Sequence, residues 1–213
     1  DVSRLSAEDL AELKEIPLDT RFELGEELTQ LQKNFLAVHG FLIFNQVAST
    51  DEVQMILSEA DGLGQRWIDE DTTVINGIPL MYGVDPEGKK FVQRQPFNTM
   101  FSEKIKSFVR DSRFEPIRRI FGEKARVGDV EKDGLVFNRY INIEGGRRPQ
   151  LGWHTDGLRD LFYGRMPGPM LNVGLHFDEI KEADGGLRLI PGSHNQGFLS
   201  MCFKKAYFIS HKA

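Results

Sequence analysis

A single cysteine, Cys202, in 213 residues rules out an internal disulfide and fits a reducing compartment, so the cytoplasm is the expected location. It reads as a small buried apolar residue rather than as a nucleophile. No apolar run approaches the ~18 residues of a membrane span, and the opening DVSRLSAEDLAEL lacks the basic-then-apolar pattern of an export signal. No membrane partner is expected. An excess of positive charge is missing as well, since 27 Lys and Arg face 32 Asp and Glu for a formal net charge of -5. Without a dense basic cluster carrying interleaved aromatics, nothing draws the chain to a phosphate backbone, and nucleic acid is excluded as an expected partner. There is no internal repeat and no low-complexity segment, and nowhere do strands and helices alternate in the βαβ order of a Rossmann sheet.

What is present is the make-up of one globular domain: 40% hydrophobic and 28% charged residues, enough to bury one sizeable core. A single domain over 1–213 is expected, with helical support and the first strands in 1–133. In EELTQLQKNFLAV the residues Leu28, Leu31, Phe35, Leu36 and Val38 fall near a helical stripe, and His39-Gly40 ends it with a left-handed cap. FLIFNQV then reads as a short buried strand. ASTDEVQMILSEADGL follows as a helix, opened by Ser49 and Glu52 as a capping box and turned inward through Val53, Ile56 and Leu57. A turn-rich middle with GIPL, DPEG and QRQPF gives way to helical spacing in SEKIKSFVRDSRFEPIRRIFG, where Pro116 opens the second half. From Gly134 onward the segments LVFNRYINI, LGWHTDG, MLNVGLHFDEI and GLRLIPGSH are short, β-branched or aromatic, and separated by Gly, Pro and Asp clusters. Helices first and strands afterwards predict a mainly β protein, a sandwich or barrel carried by supporting helices.

Chemistry concentrates in LGWHTDG. On a strand, residues i and i+2 face the same way with Cα atoms ~6.6 Å apart, so His154 and Asp156 can aim an imidazole and a carboxylate at one point while Trp153 and Thr155 face the other side. Two readings are open: one half of a site for a divalent first-row metal, of the kind that two imidazoles and one carboxylate complete, or a plain His-Asp hydrogen-bonded pair.

Together with MLNVGLHFDEI, the Asp-Gly-Gly turn of EADGGL and the PGSH stretch ending in His194, this segment resembles the phytanoyl-CoA dioxygenase family. The likeness runs over roughly residues 25–200. What the resemblance implies is a double-stranded β-helix, the jelly roll of cupin-like proteins, with its core strands in 134–213. It further implies an iron(II)- and 2-oxoglutarate-dependent dioxygenase that uses O2, through a ferryl species, to hydroxylate a small organic substrate. His154 and Asp156 carry over as catalytic metal ligands, and the carboxylate favours hydroxylation over halogenation, because the halogenating branch has a small residue there. By the same register, Arg139 in FNRYINI, Asn172 and His176 in MLNVGLHFDEI, and Gln93 in KKFVQRQPF are the candidates to contact cosubstrate or substrate. The alternative for Arg139 is a surface strand residue and for His176 a satisfied interior histidine. His194 reads as a turn-stabilising residue and His39 as a helix cap.

Two parts of the family pattern are missing: a third ligand histidine on a late strand, and an arginine about ten residues beyond it that pairs with the 2-oxoglutarate carboxylate. His211 is followed only by Lys212 and Ala213, so no arginine succeeds it. The chain also begins with Asp1, and a jelly roll cut before its last strands would expose a long unpaired edge. The expectation is therefore a longer protein whose C-terminal strands follow Ala213. The rival reading, from a different class, is a non-catalytic jelly-roll module that binds a small molecule without a complete metal site. A zinc-dependent cupin-like hydrolase or isomerase ranks third, because no further histidine stands beside PGSH. Substrate and oligomeric state are not legible.

Overall fold

Three helix starts are written as Ser or Thr followed, three residues later, by a side chain that can reach back to the cap. In the computed structural model, which describes residues 2–129, 134–141, 170–179 and 186–195, all three close as reciprocal capping boxes. They are Ser6 with Asp9, Thr29 with Gln32 and Ser49 with Glu52. Each satisfies two otherwise orphaned backbone donors, and loss of such a cap costs about 0.5–2 kcal/mol. The chain divides into two units, residues 1–45 with 147–213 and residues 46–146.

In the first unit, α1 (Ala7–Glu15) and α2 (Gln30–His39) are tied by Asn34 Nδ2 donating to Asp9 Oδ1 at 3.0 Å. Phe35 is wholly buried, with the rings of Phe22 and Phe41 edge-on to it at 5.3 and 6.0 Å. Gly40 ends α2 in the left-handed region at φ 84°, as the sequence predicts. FLIFNQV contributes less strand than expected. Only β2 (Ile43–Phe44) pairs, in parallel with β1 (Arg21–Phe22), and it is half-buried.

In the second unit, α3 (Thr50–Asp69) runs past the stretch that the sequence marks and buries Ile56, Ala60, Leu63, Gly64 and Trp67, a 3.6-residue stripe. Leu63 and Trp67 form a core with Leu80 and Val92. Two hairpins fill the turn-rich middle. In the first, β3 (Val74–Ile75) pairs with β4 (Ile78–Pro79) around Asn76-Gly77, both at positive φ. In the second, β5 (Met81–Val84) pairs with β6 (Lys90–Gln95), and β6 also pairs with β7 (Phe137–Asn138). After β6 come α4 (Asn98–Phe101), α5 (Glu103–Val109) and α6 (Glu115–Arg118), the last with Pro116 in its first turn as predicted. Arg113 donates to both Glu52 carboxylate oxygens, to Asp111 and to the Val47 carbonyl, which anchors the start of α3.

The prediction of a mainly β chain needs correction for the described residues. They hold more helix than strand, in sheets of two, two and three strands, with no closed barrel among them. The physical reason is pairing, since a ladder requires a partner's N–H and C=O groups. LVFNRYINI forms strand only at β7, with one further backbone bond from the Arg139 amide to the Gln93 carbonyl, and residues 170–179 and 186–190 form no strand. LGWHTDG lies outside the described residues.

Candidate functional site

His154 and Asp156, the predicted metal ligands, lie outside the described residues, as do His211 and Cys202. Among the described residues, no group of three or more His, Cys, Asp or Glu side chains could hold a metal ion. The four remaining candidates fall two in each unit.

Gln93 and Arg139 are brought together in the second unit, where the Arg139 amide donates to the Gln93 carbonyl at 2.9 Å and extends the β6–β7 ladder by one step. The Arg139 guanidinium forms an ion pair with Asp61 on α3, and its side chain is 33% exposed. Arg139 is thus a partly covered strand residue whose charge already has a counter-ion. Any ligand carboxylate that binds it must compete with Asp61.

Two neighbours on the same segment were not singled out by the sequence. Gln95 shares a face with Gln93 by strand alternation, is 3% exposed, and has no hydrogen-bond partner for its Oε1. Asn98, fully buried, donates from Nδ2 to the Gln95 carbonyl at 2.7 Å and leaves its own Oδ1 without a partner. Between them Phe97 adopts φ 58°, a conformation that bulky side chains rarely take. Two orphaned buried acceptors beside a strained residue are the unsatisfied buried side-chain atoms of this unit among the described residues. No local signal marks Gln95, because burial along KFVQRQ does not alternate and the cover comes from α3. Gly64 makes the approach possible, because a Cβ there would lie 2.8 Å from Gln95 Nε2.

In the first unit, Asn172, Gly174 and His176 are exposed and Leu171, Leu175 and Phe177 half-buried, but Val173 is 65% exposed, so the alternation that the sequence predicts is broken at that position. A Cβ on Gly174 would stand 3.6 Å from His176 Nε2, in ordinary contact, so the glycine leaves a gap beside the imidazole. His176 is an exposed residue here, not an interior one. Asp178 and Glu179 follow, also exposed.

His194 has the fixing role that was expected of it, but its anchor is a helix end. In the single turn Ser193–Asn195, His194 Nε2 bonds to the Ala37 carbonyl at 3.1 Å, and Asn195 Nδ2 donates to the same oxygen at 3.0 Å. The Gly192 amide donates to the His39 carbonyl at 2.9 Å. The PGSHN stretch therefore satisfies carbonyls that the last turn of α2 cannot satisfy itself. His39 is the last residue of α2. Its ring packs 4.4 Å from that of Phe35, and its buried Nε2 has no partner.

Among the described residues, no helix is long and apolar enough to cross a membrane. A family model described as phytanoyl-CoA dioxygenase (PhyH) matches residues 36–212. That span holds Gln93, Arg139, His154, Asp156, Asn172 and His176, together with the PGSHN stretch and the end of α2 on which it docks. No curated protein and no solved structure matches the chain.

Proposed function

Because the chain belongs to the phytanoyl-CoA dioxygenase family, whose members are built on a double-stranded β-helix, we propose that it is an iron(II)- and 2-oxoglutarate-dependent dioxygenase. The reaction is hydroxylation of a small organic substrate. The observation that carries this reading is the family match across residues 36–212 with His154 and Asp156 inside it. An imidazole and a carboxylate two residues apart are a donor pair suited to iron(II), which takes nitrogen and oxygen ligands and needs open positions for cosubstrate and dioxygen. When bound, iron with 2-oxoglutarate supplies the oxidising power, at the expense of the oxo acid's decarboxylation to succinate and CO2.

The chain's own residues have simpler tasks. His154 would hold the metal through an imidazole nitrogen, and Asp156 through a carboxylate that would also offset part of the metal charge. Asn172 and His176 present amide and imidazole hydrogen-bonding groups on one face, and the gap at Gly174 gives a small polar ligand room beside them. Arg139 offers a guanidinium to a carboxylate on condition that Asp61 releases it, and Gln93 stands next to it on the ladder.

The reading is tested by supplying iron(II), 2-oxoglutarate and air and following succinate. Iron-dependent succinate formation that disappears in Asp156→Ala supports it. A protein that forms no succinate with any substrate, and whose ligand affinity survives Asp156→Ala, is the non-catalytic binding module instead.

A further inference from the structure

The docking of PGSHN on α2 joins two histidines that are 155 residues apart in the chain. His194 reaches the Ala37 carbonyl through Nε2, and a carbonyl only accepts, so that nitrogen carries a hydrogen whether the ring is neutral or charged. Acid does not break this bond directly. His39 is different. Its ring is lodged against Phe35 at 4.4 Å, with Phe41 at 6.5 Å on another side, and its Nε2 is buried without an acceptor.

We propose that His39 and His194 form an acid-sensitive clasp, in which protonation of His39 releases the Gly192–Asn195 turn from the end of α2. Charging His39 puts a hydrogen on both ring nitrogens, and the N–H at Nε2 meets no acceptor among the described residues. Among the described residues, the groups that face His39 are the aromatic rings of Phe35 on its own helix and of Phe41 after it, and His194 from the docked turn. No carboxylate among the described residues perturbs it, and the favourable pull of the α2 C-terminus on a cation is outweighed by burial. Burial first, and His194 second, hold the His39 imidazole below its ordinary value of 6.5. The sign follows from linkage. A histidine that is depressed in the folded state contributes stability in full above 6.5, and that stability is lost as the pH falls through the folded value. Gly40 completes the clasp, because any side chain there would occupy the place of the His194 ring.

The direct test is amide exchange at Gly192, with the histidine ring resonances followed in parallel. In the wild type, protection of Gly192, corrected for the intrinsic pH dependence of exchange, should fall severalfold between pH 7.5 and 5 (about neutral to mildly acid, a span that brackets the histidine range). The fall should track titration of the His39 ring. His39→Phe keeps an aromatic ring against Phe35 and removes the charge, so its Gly192 protection should stay flat over the same span. The clasp is overturned if the wild type shows no such fall, if the variant shows the same fall, or if the His39 ring titrates at or above its ordinary value. The ring titration needs only the wild-type protein, so the proposal remains testable even if His39→Phe folds poorly.

Discussion

A methyl group added at Gly40 would lie 2.3 Å from His194 Nδ1, well inside any real contact. The same residue sits at φ 84°, where an L side chain costs about 1–2 kcal/mol. Gly40→Ala should therefore destabilise by more than that backbone cost alone, because the imidazole must also leave the Ala37 carbonyl. Urea unfolding measures it. A loss below about 1 kcal/mol would mean that His194 does not occupy that place in solution.

Gly62 and Gly64 lie two residues apart on α3 and should respond with opposite signs. A Cβ at Gly62 meets nothing within 4 Å, so Gly62→Ala should gain about 0.5–1 kcal/mol from helix propensity. At Gly64 the new Cβ would strike Gln95 Nε2 at 2.8 Å inside a packed site, and the overlap should cost about 1–3 kcal/mol. Pairing Gly64→Ala with Gln95→Ala should recover part of that loss, and a double-mutant cycle reads the non-additivity.

Hydrogen bonds from Arg113 are the largest influence on Glu52, and with the Ser49 amide they pull its carboxyl down from 4.5 to about 2. A depressed acid contributes stability that is fully present above 4.5 and lost as the pH falls towards about 2. Glu52→Gln keeps an acceptor for the Ser49 cap but removes the charge, so the acid limb of stability between those values should flatten. Chemical denaturation midpoints across that range check it, and an unchanged slope would show that the pair is screened by solvent.

Arg139 separates structure from recognition. Its pair with Asp61 is partly exposed, so Arg139→Ala should change stability by no more than about 1 kcal/mol. If the guanidinium also takes the cosubstrate carboxylate, the same variant should raise the KM for 2-oxoglutarate by about tenfold or more, equivalent to about 1.4 kcal/mol. Asp61→Asn, which weakens the competitor, should lower that KM. Identical KM values in all three proteins would reduce Arg139 to a surface strand residue.

The parts of this molecule that rest on local rules were legible in the sequence. Ser49 with Glu52, Gly40 after the Phe35 stripe, and Pro116 in a first turn each specify their conformation through neighbours a few residues away. The strands were less legible, because FLIFNQV has the composition of a seven-residue strand but pairs over two residues, and pairing is decided by distant partners. Asn76-Gly77 is a strong hairpin signal that reads only as a loop when the flanking runs are two residues long. At the candidate site, the alternation of Asn172, Gly174 and His176 was visible in part, whereas the counter-ion of Arg139 and the burial of Gln95 depend on α3, which no local pattern links to them. The tie from His194 to Ala37 was hidden for the same reason.

The central claim is that His154 and Asp156 hold iron on which 2-oxoglutarate binds. Anaerobic titration of the protein with iron(II) and then 2-oxoglutarate tests it most directly. The account predicts a weak visible charge-transfer band that saturates with 2-oxoglutarate in the wild type and is lost in Asp156→Ala. A wild-type protein that gives no band, or an Asp156→Ala protein that gives the same one, would contradict it.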